Sequence, residues 1–209
     1  MGVVETDKSC RIRRCGSISI LTFALVLLLI ACQPSAQERA QVEAKIQSCL
    51  LEVSDLPADW QVATGPMPSD MPGHVLPGRA LGGVNISLFH PLFGANASQT
   101  ILLYSSSAKA AREFERQQPG IFSTSNLIVP WQEPNIGYTG GSADAFRLAC
   151  AERDSGNRYR VCSSLAQYDR FLSEFFTWVS PKYMTDEDLF QVLQAIDRDM
   201  TQCIDKYAQ

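Results

Sequence analysis

Leu189, Leu193, Ile196, Met200, Cys203 and Tyr207 recur at helical period, and this stripe predicts one long amphipathic helix with its apolar face turned inward. Thr185 stands at the N-cap position, and Asp186-Glu187-Asp188 suits the positive end of the helix dipole, so the densest acidic run is helix chemistry before it is a cation site. Val42, Ile46, Cys49 and Leu50 set a second helical stripe near the start of the chain, with Arg39 and Glu43 one turn apart on its surface and an end near Ser54. A third helix is predicted from Ser106 or Ser107 to Gln118, stopped by Pro119-Gly120.

Between the helices the period changes to two. Residues 84–89 and 99–104 alternate around a turn and predict a hairpin, while 143–152, 158–168 and 171–179 predict a meander with a turn at Asp169-Arg170. Trp60 opens another strand-like stretch at 60–63. Proline and glycine break up 65–83 and 121–142, which predicts two long surface loops. The sum is an α+β domain: a mainly antiparallel sheet of about five strands with the N- and C-terminal helices packed on one face.

The first residues carry a different pattern. Lys8, Arg11, Arg13 and Arg14 precede an apolar run at 18–30, then small Ala31 and Cys32. A membrane-crossing helix needs roughly 20 apolar residues, and this run with Ala31 has 14, so the layout is that of a secretory signal peptide. Leu29-Ile30-Ala31-Cys32 resembles the lipobox of a bacterial lipoprotein precursor. That resemblance implies cleavage before Cys32, a diacylglycerol thioether on its sulfur and an acyl chain such as palmitate on the new amino terminus. Residues 1–31 are then the signal peptide, 32–37 a lipidated tether and 38–209 a single extracytoplasmic domain. Two acyl chains hold a protein stably on a bilayer where one holds it only marginally. The membrane is thus the implied partner, either the cell membrane or an outer membrane, and Gln33 is not the aspartate that retains many such proteins in an inner membrane.

Asp55-Leu56-Pro57-Ala58-Asp59-Trp60 is similar to the DLPxGW opening of small bacterial lipoproteins of unknown role, with Asp59 at the glycine position. The net charge is −4, and losing residues 1–31 removes more basic than acidic side chains, which argues against a nucleic-acid partner. Beyond Cys10, Cys15 and Cys32 four cysteines remain, an even number that suits an oxidising compartment and permits three pairings. Cys150 and Cys162 flank the turn-forming Asp154-Ser155-Gly156-Asn157, so a hairpin would set them opposite each other and leave Cys49 and Cys203 to tie the chain's ends. Zinc ligation fits poorly, because the four cysteines are separated by 100, 11 and 40 intervening residues rather than standing in close pairs.

Candidate chemistry is sparse. His74 and His90 show no ligand spacing with each other or with cysteine, and no nucleophile elbow, H-E-x-x-H, Walker or dinucleotide motif occurs, so no cofactor, metal or catalytic residue is assigned. Trp60, Trp131 and Tyr138 lie at or near the predicted loops, where ligand sites tend to form. The expectation is therefore a lipid-anchored extracytoplasmic module that binds a small ligand or an envelope protein through loops 65–83 and 121–142. Two alternatives stand beside it: an envelope hydrolase using His90 with Asp169 or Glu174, and a purely structural envelope lipoprotein.

Overall fold

The computed structural model describes residues 36–69, 80–154 and 156–208. Along the chain come α1 (Ala36–Ile46), β1 (Gln61–Pro68), β2 (Gly82–His90), β3 (Ala95–Leu103), α2 (Ser107–Ile121), β4 (Leu127–Gln132), β5 (Ala145–Asp154), β6 (Arg158–Tyr168), β7 (Phe171–Val179) and α3 (Asp186–Ala208). The strands form one antiparallel sheet in the order β1-β2-β3-β7-β6-β5-β4. The fold is α+β, but the sheet has seven strands, not about five. β4 lies inside a stretch expected to be loop, and β1 continues through Gly65 to Pro68. Both are edge strands whose pairing is broken by register shifts. An edge strand is paired on one side only and tolerates proline, so Pro66, Pro68 and Pro130 sit in strands whose composition denies them.

Strand alternation gives the sheet two apolar faces. On one, Phe171, Phe175 and Val179 join Val84, Ile86, Leu88 and Ile101 against Ile46 beneath α1 and Leu189, Leu193, Ile196 and Met200 of α3. On the other, Leu102, Tyr104, Leu165 and Leu172 meet Ala110 and Phe114 of α2. Cys49 is bonded to Cys203 with a Cα separation of 5.6 Å, and the Tyr207 hydroxyl donates to the Val42 carbonyl at 3.2 Å, so the two terminal helices are joined. α1 lies so close to β2 that a Cβ on Gly82 would stand 2.8 Å from Val42 Cγ1.

Several helix ends differ from expectation. α1 stops at Ile46, passes through a 3-10 turn at Gln47–Cys49 and becomes extended at Leu50, well before Ser54. The cause is tertiary: Leu50 and Leu51 are buried in the core, and the Leu51 amide donates to Gln99 Oε1 at 2.7 Å on the sheet. Glu43, expected at the surface, is buried as α1 meets the sheet. α2 is capped by Ser106, whose Oγ accepts from the Lys109 amide, and runs past Pro119 to Ile121. A proline in a last turn removes only one backbone bond, which packing of Phe114 and Ile121 outweighs. α3 starts on a reciprocal cap, Thr185 Oγ accepting from the Asp188 amide at 3.1 Å and Asp188 Oδ2 from the Thr185 amide at 2.8 Å.

In the β5–β6 hairpin Cys150 stands opposite Cys162 and the two are disulfide-bonded. Glu174, mid-strand on the α2 side, faces Thr100 and Leu165 on the flanking strands. Desolvation holds its carboxyl above the ordinary glutamate value, with no ion-pair partner among the described residues. A folded value raised above the unfolded one means stability that is full in acid and is lost as pH climbs through the folded value. Glu174→Gln is thus expected to raise the Tm near pH 7, with the advantage vanishing by about pH 4 in paired thermal melts. An equal gain at both pH values would contradict this.

Candidate functional site

The two ends of the sheet are unlike. At one end Gly82 of β2 lies under α1, and Phe171 of β7 packs its ring 5.2 Å from Tyr207 near the end of α3. At the opposite end lie His90, the turn 91–94, Val179 and the start of α3, where Arg160 Nη1 donates to Asp186 Oδ1 at 2.6 Å.

His90 is the centre of an aromatic cluster at that far end. Its ring is 5.9 Å from Trp60, 5.1 Å from Phe93 and 6.0 Å from Tyr183. Three local devices hold the group. The His90 carbonyl accepts from the amides of Phe93 and Gly94, and Gly94 turns with a φ of 62°, so Leu92 and Phe93 project from a tight turn. Ser180 and Met184 form a small bridged loop that carries Pro181, Lys182 and Tyr183. Trp60, buried in the core, donates its indole Nε1–H to the Tyr183 carbonyl at 2.9 Å and pins that loop from beneath.

Two hollows flank Tyr183. One, of about 240 Å³, is lined by Asp59, His90, Leu92, Phe93, Lys182 and Asp188 among others. The other, of about 330 Å³, lies against Tyr159, Arg158 and Arg160. Leu92 is 76 % and Phe93 45 % exposed, large apolar groups at the rim of the first hollow, whereas His90 at its floor is 3 % exposed. The His90 Nδ1 is buried with no hydrogen-bond partner among the described residues. Burial lifts the Tyr183 hydroxyl above its ordinary value.

No family model and no curated protein matches the chain. Among solved structures it is similar to the extracellular domain of PknH from Mycobacterium tuberculosis, with a TM-score of 0.56 and 9 % identity over 81 % of this chain and 98 % of that one. At that identity the likeness is one of fold.

The residues expected from sequence are divided among several places. Trp131 and Tyr138 do share a wall, of a hollow of about 360 Å³ beside Glu133 and Arg147. The Trp131 indole donates to the Ser123 carbonyl at 2.9 Å and the Tyr138 hydroxyl to the Leu193 carbonyl at 3.1 Å. Desolvation, then the charge of Asp197, pushes the Tyr138 hydroxyl up to about 12. Trp60 is not on a ligand loop; it is a core residue 2 % exposed, because the turn before β1 delivers it inward. The hydrolase constellation does not assemble. His90 is buried rather than at the surface, Asp169 occupies the β6–β7 turn at the other end of the sheet, and Glu174 is on the opposite face. Cys32 and His74 lie outside the described residues, as does most of loop 65–83. Among the described residues no three metal-ligating side chains converge, and no helix is long and apolar enough to cross a membrane.

Phe93 and Lys182 were not singled out by sequence. Leu92-Phe93 inside a Pro-x-x-Gly turn was the available signal, since a tight turn cannot bury two large apolar residues of its own.

Asp59, also on the wall of this hollow, has a φ of 71°. That left-handed conformation is one that glycine adopts without strain. Asp59→Gly is expected to leave stability unchanged or raise it by up to about 1 kcal/mol in urea titrations, whereas Asp59→Val is expected to cost about 1–2 kcal/mol. Equal behaviour of the two variants would refute the conformational account.

Proposed function

We propose that the chain is a lipid-tethered extracytoplasmic module that binds a small ligand at the His90 end of its sheet. The observation that carries this is the aromatic hollow floored by buried His90 and rimmed by exposed Leu92 and Phe93. Exposed apolar groups around a concave, partly polar floor are how ligand sites are built. Support for the compartment comes from the lipobox at Cys32, from the two disulfides and from the fold it has in common with an extracellular domain.

Material purified from the membranes of a native-like host is expected to lack residues 1–31 and to carry a lipid on Cys32 by mass spectrometry. A free sulfhydryl there removes the anchor. Extracts of envelope small molecules are expected to shift the Tm of the domain or quench its tryptophan emission, Trp60 being in contact with both His90 and Tyr183. Uniform silence across the extracts removes the ligand-binding reading.

A further inference from the structure

We propose that the His90 hollow takes an alkylammonium group, laid on the Phe93 ring beside the carboxylates of the lining. The inference rests on the binding reading above and names the ligand's chemistry.

Size comes first. At about 240 Å³ the hollow is smaller than the clefts of roughly 300–1,000 Å³ that enclose drug-sized ligands, so it suits a head group or a very small solute. Its walls then choose the charge. Carboxylates Asp59 and Asp188 face it, against the single ammonium of Lys182. Asp188 Oδ2 is held by the Thr185 amide and hydroxyl, while Asp59 has no ion pair among the described residues. An anionic ligand would meet two carboxylates against one ammonium. A cation would be favoured by them and by the negative face of an exposed ring.

The molecule already makes this contact with itself. Lys182 Nζ stands 5.9 Å from the Phe93 centroid, within the range at which a ring face attracts an ammonium. Lys182 is exposed and finds no carboxylate at ion-pair distance among the described residues, so its ammonium is a displaceable internal occupant. A ligand that displaces it gains the ring and Asp59 together.

His90 closes the floor with its ring, its Nδ1 buried out of reach of the hollow, so the ammonium and not a hydrogen bond at the ligand's far end carries recognition. Small alkylammoniums with and without a hydroxyl are therefore equally matched.

The test titrates the full domain with choline, with tetramethylammonium and with 3,3-dimethylbutanol, the uncharged isostere of choline, following the Trp60 indole and His90 ring signals by NMR. Choline and tetramethylammonium are both expected to bind saturably, and the isostere roughly fivefold or more below choline. Lys182→Gln is expected to tighten choline by roughly two- to fivefold and the isostere by less, because the internal competitor is removed for both but the like charge only for choline. Phe93→Leu, at an exposed turn position, is expected to bring choline down to the isostere's level while the melt stays wild-type.

Equal binding of choline and the isostere would overturn the inference, leaving an apolar hollow. So would weaker binding of choline by Lys182→Gln. If all three probes are silent while envelope extracts still shift the Tm, the ammonium assignment is wrong and the binding reading survives. Silence of probes and extracts together removes both.

Discussion

The double variant Cys49→Ser/Cys203→Ser is expected to lose about 5 kcal/mol of stability, the largest effect of any change considered for this domain. The bond joins residues 154 apart in sequence, so it closes a loop that spans the whole described sheet. On the chain-entropy model a loop of that length restricts the unfolded state far more than the Cys150–Cys162 loop, whose separation is 12 and whose removal is expected to cost about 3 kcal/mol. Small domains have only about 5–15 kcal/mol in hand, so the longer bond accounts for a large share of the total. Both of its cysteines are essentially inaccessible, with Cys49 1 % and Cys203 0 % exposed, so reductant should act only through opening of the fold. Guanidinium titrations of the two double variants measure the difference. A loss below about 1 kcal/mol at the long bond would show that the helices are held by their packing alone, since the entropic contribution predicted for this loop is several times larger.

Trp60→Ala is expected to cost about 3–5 kcal/mol, because it empties a site in the middle of the larger core cluster. The same change should disable the site above it. Without the indole donor the Tyr183 carbonyl loses its partner, and without the ring His90 and Tyr183 lose a shared edge-on neighbour. Trp60→Phe separates the two roles, since it fills most of the volume but cannot donate. Its expected cost is about 1–2 kcal/mol, with the loop carrying Lys182 and Tyr183 loosened toward faster amide exchange. If Phe and Ala at this position were equally destabilising, the hydrogen bond to Tyr183 would be the dominant role and the cavity a minor one.

The functional proposals depend on this support. A hollow of this size discriminates ligands only if its rings are fixed, and each is fixed from a different part of the chain: Phe93 by the turn after β2, Tyr183 by the loop before α3, His90 by the end of β2. Trp60 touches two of the three. Its mutation should therefore weaken binding even under conditions where the domain remains folded.

What was legible from sequence was whatever repeats locally. The α3 stripe, its Thr185 cap and the Ser106 cap each depend on residues within a turn or two, and each is present. The hairpin that pairs Cys150 with Cys162 was legible for the same reason, because Asp154 and Gly156 supply a turn and the distance to each cysteine is equal. Edge strands were not. β1 and β4 have weak alternation, prolines and shifted registers, and they exist because a neighbouring strand offers its free edge. The end of α1 was misplaced because its stripe continues to Leu50 in sequence while Gln99 and the sheet draw the backbone away.

By itself, then, the amino-acid order determined the fold class, the periodic elements and the turn that sets one disulfide, since those follow from neighbours along the chain. Only the tertiary structure decided that Trp60 is an internal support, that His90 is buried with an unpartnered nitrogen, and that Phe93 and Tyr183 meet it 5.1 and 6.0 Å away. Residues 60, 90, 93 and 183 share no period and no motif. Their proximity arises because β3 pairs with β2 on one side and β7 on the other and so sets the ends of those two strands at the same end of the sheet, a long-range arrangement whose register no local pattern encodes.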